Sequence, residues 1–167
     1  MKLWLLAFVV FAFGSSMLGA RAATQPAPSA ADIARGKYLV AFGACNSCHT
    51  PGWAENDGNI PVSQWLTGNT IGFRGPWGTV YPANLRMRFQ QISESQWLFM
   101  IHTRGGHPPM QWTNLRVLTV ADQRAIYRFV RSLGPAGVAE PSDLRPGVDP
   151  KAQFYDVTPQ GLPTHSP

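Results

Sequence analysis

Charge is scarce in this chain. Of 167 residues, 14 are Lys or Arg and 9 are Asp or Glu, so 14% are charged, against about 25% in an average protein. With 16 glycines and 15 prolines, that shortage disfavours a long coiled coil and a charge-rich disordered chain. There is no Lys/Arg run, and so no footprint for nucleic acid. The apolar stretch from Leu3 to Phe13 falls well short of the ~20 residues that span a bilayer. No internal repeat is present, and no strand pattern precedes the two cysteines. What remains is one domain's length of chain, irregular in much of its course. Its six Trp, nine Phe and four Tyr supply more flat apolar surface than a core of this size needs.

Lys2, the apolar run and then Ala20-Arg21-Ala22 follow the order of a secretory signal peptide with an A-x-A cleavage site. The segment 1–22 is therefore expected to be removed, leaving an exported, periplasmic chain. Membrane attachment is expected only if that segment is retained. Residues 23–30, rich in Ala, Pro and Ser, read as a flexible lead-in. Residues 23–133 carry 10 basic and 5 acidic side chains, and 134–167 carry 2 and 4. Such an imbalance suits a solubilising surface, an acidic partner for the body, or a tail lying on it.

Three helices are predicted. The first covers Ala31 to Phe42, with Ser29 or Asp32 near its start; Gly36 within it costs about 1 kcal/mol relative to Ala, which suggests a close helix crossing. The second covers Glu94 to Thr103, after the capping pair Ser93 and Gln96. The third starts at Thr119 and Asp122, runs through Ile126, Phe129, Val130 and Leu133, and stops at Gly134-Pro135. Arg124, Arg128 and Arg131 fall on its other face, read as solvated, or else as facing a partner or a haem edge. Some forty residues between the first two helices, studded with Gly and Pro from Pro51 to Pro82, show no sustained period. A loop that long needs something large to wrap. Residues 136–167 read as a Pro-rich extension, either a strap or disordered.

The chemistry is concentrated at Cys45-Asn46-Ser47-Cys48-His49. C-x-x-C-H is the attachment signature of a c-type haem. Two thiols a helical turn apart add across the two vinyl groups of one porphyrin, and the next residue brings a neutral imidazole to the iron. Two cysteines allow one covalent haem at most. A redox dithiol prefers a strand-helix-strand context. A zinc site needs further ligands at metal spacing, which His102, His107 and His165 do not provide. A structural disulfide fits the spacing but leaves His49 without a purpose.

The sixth iron ligand decides between electron transfer and ligand chemistry. Met110, 61 positions beyond His49 and just after Pro108-Pro109, lies in a stiffened loop able to aim a thioether at the ring. Met87 and Met100 belong with packing. His102 and His107 stand as alternatives.

The chain resembles the class I c-type cytochromes, and more closely the monohaem cytochrome c domains and subunits of bacterial periplasmic dehydrogenases. The residues that carry the resemblance are Ala34 to Leu39, Cys45 to His49 with Thr50-Pro51, and Gly78 to Tyr81 with Asn84-Leu85. His107 to Met110, Leu118-Thr119, Asp122, Ala125 to Tyr127 and Arg131 to Leu133 continue it. It covers about residues 31 to 135. The chain departs from many relatives at Gln111, where they carry proline, and over Leu85 to Arg88. The resemblance implies an all-α, cytochrome c fold: three main helices around one covalently bound haem, with long irregular loops. It implies Cys45 and Cys48 as thioether residues, His49 as proximal and Met110 as distal ligand, with Trp77, Tyr81 and Arg74 as candidate propionate partners. The expected function is one-electron carriage rather than catalysis, with a dehydrogenase as donor and a cytochrome or oxidase as acceptor. Two other readings stay open: an obligate cytochrome subunit of a dehydrogenase complex, and a haem enzyme or gas binder with an open sixth site.

Overall fold

A computed structural model describes residues 27–158. The expected signal peptide at 1–22 and residues 159–167 lie outside the described residues, as does the first part of the lead-in. No helix among the described residues is long and apolar enough to cross a membrane.

The three predicted helices form where their caps place them. Helix α1 (Ala30–Phe42) opens on a reciprocal capping box, the Asp32 N–H donating to Ser29 Oγ and the Ser29 N–H to the Asp32 carboxylate, both at 3.1 Å. Helix α4 (Glu94–Thr103) opens on the same device between Ser93 and Gln96. Thr119 caps α6 (Val120–Ser132) through the Asp122 N–H. Such caps satisfy backbone donors that the first turn leaves unpaired. Helices α1 and α6 cross at Gly36. A Cβ there would lie 2.0 Å from the Ala125 carbonyl oxygen and 2.6 Å from Phe129 Cβ, so only glycine lets the two backbones meet. Leu39, Val40, Trp97, Ile101, Ala125, Ile126, Phe129 and Val130 are buried around that crossing, with Trp65, Leu66, Phe89 and Tyr127.

Three expectations are corrected. The chain is mainly helical but not all-α. A small sheet forms from β1 (Gly72–Gly75), β2 (Gly78–Val80) and β3 (Phe154–Asp156), in the order β2-β1-β3. Strands β1 and β2 make an antiparallel hairpin with Phe73 opposite Val80, while β3 joins β1 in parallel with Phe73 opposite Tyr155. Strands of three or four residues are too short to show an alternating pattern, and β3 is created by the tail's return. Three further helices also escape periodicity by being short: α2 (Cys45–His49), α3 (Leu85–Gln91) and α5 (Trp112–Arg116).

The arginine row of α6 is not a free solvated face. Arg128 bridges Glu94 at 2.9 Å and Asp32 at 3.0 Å, and Arg124 reaches Glu94 at 3.5 Å. Arg131 donates to the carbonyls of Phe89 and Gln90. These groups tie α6 to α1, α3 and α4.

After α6 the chain recrosses the body. Thr79 and Leu144 exchange backbone hydrogen bonds at 2.9 and 2.8 Å, and the Tyr81 N–H donates to Asp143 at 3.0 Å. Arg88 pairs with Glu140 at 3.2 Å and Arg74 with Asp149 at 2.9 Å. Tail carboxylates therefore meet body arginines, which accounts for part of the charge imbalance between the two segments.

Candidate functional site

Helix α2 starts abruptly. Gly43 closes α1 through its N–H to the Leu39 carbonyl at 2.8 Å, and Ala44 then adopts a left-handed conformation at φ 54. That turn begins a new helical segment at Cys45. Residues spaced by three and four share a helix face, so Cys45, Cys48 and His49 lie on one side of α2. Asn46 and Thr50 are buried. The Thr50 hydroxyl donates to Asn46 Oδ1 and accepts the Leu66 N–H, both at 2.8 Å. Gly68 donates its N–H to the His49 carbonyl at 2.8 Å. The short helix, too small to persist alone, is thus held by residues 16 to 19 positions further on.

Cys45 and Cys48 are free thiols. Burial pushes Cys45 up to about 11 and raises Cys48 as well. A catalytic dithiol needs the opposite shift, toward thiolate, so this environment does not suit redox exchange.

The orientation of His49 is fixed by one bond. Its Nδ1 lies 2.8 Å from the Ala83 carbonyl oxygen. A carbonyl can only accept, so Nδ1 carries the proton and the neutral ring keeps its lone pair on Nε2. Burial lowers the His49 pKa, with the Ala83 bond and the Glu140 charge acting in the other direction. The ring is therefore held neutral, the form that binds a metal. A carbonyl behind the far nitrogen is the usual way of orienting a ligating imidazole.

The Ala83 carbonyl is itself held in place. Gly68, at φ +85, lets the 82–84 segment pass close by; a Cβ there would meet the Asn84 nitrogen at 2.9 Å. Asn84 is 1% exposed and fully hydrogen-bonded. Its Oδ1 caps α3 through the Met87 N–H, and its Nδ2 donates to the Ala136 and Val138 carbonyls of the tail. Its own N–H donates to Glu140 Oε2 at 2.9 Å. Burial alone would raise the Glu140 carboxyl, but the Asn84 N–H and Arg88 outweigh it and hold the group below the usual glutamate range. Next in sequence but one, Arg86 spreads its guanidinium over the carbonyls of Gly134 at 2.7 Å, Ser63 at 2.6 Å and Leu133.

No protein-family model, curated protein or solved structure matches the chain. The reading of the site accordingly rests on the residues themselves. Among the described residues, no group of three or more His, Cys, Asp or Glu side chains converges to hold a metal ion. His49 is a single donor, so a metal bound there has to bring most of its own ligands.

Met110 sits in the loop between α4 and α5, 40% exposed, on a turn closed by its N–H to the His107 carbonyl at 3.0 Å. His107, an alternative distal ligand, is stacked on Trp77 with centroids 5.0 Å apart and planes 8° from parallel. That contact places the loop against the β1–β2 hairpin. Among the hydrogen bonds and ring contacts of the described residues, none links this loop to α2. His102 is exposed on α4.

The three candidate propionate partners separate. Arg74 is engaged by Asp149 and lies over the Phe154 ring at 5.4 Å. Tyr81 packs its ring against Gly72. Trp77 Nε1 is a buried donor with no partner among the described residues. Such a donor costs about 1–3 kcal/mol if left unpaired, and an acceptor oxygen would remove the cost. The two thiols on one helix face and the imidazole with Nε2 free are the donor set that a covalently attached haem would need.

The sequence pointed to the thiols, the imidazole and Trp77, but not to Ala83, Arg86 or Glu140. Asn84 before Leu85 carries a readable N-cap signal. Glu140 carries none, because its role arises only when the tail returns.

Proposed function

We propose that the chain is an exported one-electron carrier with a fold of the class I cytochrome c type. In this reading Cys45 and Cys48 hold one c-type haem through thioethers, His49 Nε2 is the proximal ligand and Met110 the distal one. The observation that carries the proposal is the His49 geometry. A histidine directly after a C-x-x-C pair, on the same helix face, has its Nδ1–H spent on Ala83 and its Nε2 left as a donor.

A haem held there supplies a reversible one-electron couple, whose potential follows axial ligands, burial and hydrogen bonds. The chain's part would be to keep His49 neutral and fixed through Ala83 and to offer the Met110 thioether as a second ligand. The loop bearing Met110 is anchored to the β1–β2 hairpin through His107 stacked on Trp77. A dehydrogenase is the proposed donor and a cytochrome or oxidase the acceptor. The exposure of Met110 favours one competing reading, a haem protein with an open sixth position.

The test is expression with a cytochrome c maturation system. Wild type is expected to carry haem that survives denaturing electrophoresis, and Cys48→Ser to lose most of it. Met110→Ala should lower the reduction potential and admit carbon monoxide to the reduced protein, which wild type should bind poorly. Ready binding by wild type would establish the open-site reading instead. Colourless wild-type protein would end both.

A further inference from the structure

We propose that Glu140 is a positioning residue for His49, acting through the single peptide group that joins Ala83 to Asn84. The inference rests on the reading of His49 as an iron ligand and adds a role for the tail. The two ends of that peptide are both engaged. Its carbonyl oxygen accepts the His49 Nδ1–H at 2.8 Å, and its N–H donates to Glu140 Oε2 at 2.9 Å. A negative charge thus stands two hydrogen bonds from the imidazole, with one polarisable amide between them.

Hydrogen bonds in series strengthen one another, by about 10–30% per bond. A carboxylate pulling on the amide proton leaves more negative charge on the Ala83 oxygen. The oxygen then draws the Nδ1 proton more strongly, and the ring becomes a more electron-rich donor at Nε2. An electron-rich axial nitrogen favours the oxidised iron.

The surroundings hold Glu140 for this task. Its second oxygen meets Arg88 at 3.2 Å, and Arg88 lies on α3, the helix that Asn84 caps. The Asn84 amide grips the tail at Ala136 and Val138, just before Glu140. Glu140 therefore reaches the peptide along a path pinned at both ends. The one carboxylate thus serves both the Arg88 ion pair, which anchors the tail, and the peptide N–H that leads to His49.

Glu140→Gln removes the charge and keeps an acceptor of the same shape. With haem loaded, it should raise the reduction potential enough to shift the ratio of reduced to oxidised protein by about fivefold at a fixed external potential, the size expected of a partly buried charge acting across one peptide. The His49 Nδ1 proton resonance of the reduced protein should move upfield as its hydrogen bond weakens. Asp143→Asn is the control, since Asp143 is also on the tail but accepts from Tyr81; both readouts should stay at wild-type values. An unmoved potential and resonance in Glu140→Gln would overturn the proposal, as would equal shifts in Asp143→Asn. Should Glu140→Gln fail to fold, Arg88→Gln leaves the carboxylate to the peptide alone and should move the same resonance downfield. No movement there also overturns it. Wild-type protein without haem refutes the ligand reading beneath this one, whereas a haem-loaded protein with an insensitive His49 refutes the relay alone.

Discussion

The two halves of this molecule are held together by different means. Around the α1–α6 crossing, helices meet backbone to backbone at Gly36 and bury an apolar cluster of Leu39, Val40, Ile101, Phe129 and Val130. Around α2 and the segment 67–86, the buried polar side chains Asn46, Thr50, Asn84 and Arg86 cross-link the chain through hydrogen bonds, with the apolar Leu66 beneath them. Apolar packing is non-directional and tolerates small shifts. Hydrogen-bonded cross-links fix direction, and leaving one unmade is costly. The half in which the His49 imidazole is held at one angle is the half built from directional contacts.

Gly36→Ala should be the most damaging change, because its Cβ meets backbone rather than a mobile side chain. A loss of about 3 kcal/mol is expected, the upper end for overpacking, despite the better helix propensity of Ala. Urea denaturation reads it, and a loss below about 1 kcal/mol would mean that the helices slide apart freely.

Arg86→Lys should cost less, about 2 kcal/mol, since one ammonium cannot serve three carbonyls spread over Ser63, Leu133 and Gly134. Its signature should be local. Helical circular dichroism stays near wild type, while amide exchange quickens at Asn84 and along 134–144. Uniform quickening over α1 and α6 would show that the two halves do not separate as drawn.

The smallest effect belongs to Asp122, which accepts from Arg35 at 2.7 Å across the helix crossing. The Arg35 hydrogen bond holds its carboxyl below the ordinary value, with Thr119 assisting. A lowered folded pKa gives stability that is present above the ordinary carboxyl value and is lost as pH falls through the lowered one. Asp122→Asn should therefore flatten the decline in urea midpoint between about pH 5 and about pH 2 and leave α2 exchange untouched. An unchanged slope would assign the acid sensitivity to other carboxylates.

The helical half was legible because its signals are local. Ser29 with Asp32, Ser93 with Gln96, and Thr119 with Asp122 are caps three residues wide, and the spacing from Ile126 to Leu133 shows one buried face. The thiol-thiol-imidazole order at Cys45, Cys48 and His49 is legible for the same reason, being carried within five residues. The sheet was not, since Phe73 gains Tyr155 as a neighbour only when the tail comes back. The same holds for the arginine row of α6, whose acceptors Asp32 and Glu94 lie on other helices.

Sequence alone determined the helices with readable caps, the glycine at their crossing and the thiol-thiol-imidazole order, because each depends on residues within a turn or two of one another. Tertiary structure decided which nitrogen of His49 is left free, through Ala83, and which charge stands behind that peptide, through Glu140. Those outcomes depend on residues 34 and 56 positions apart meeting in space, and no local propensity encodes such a meeting.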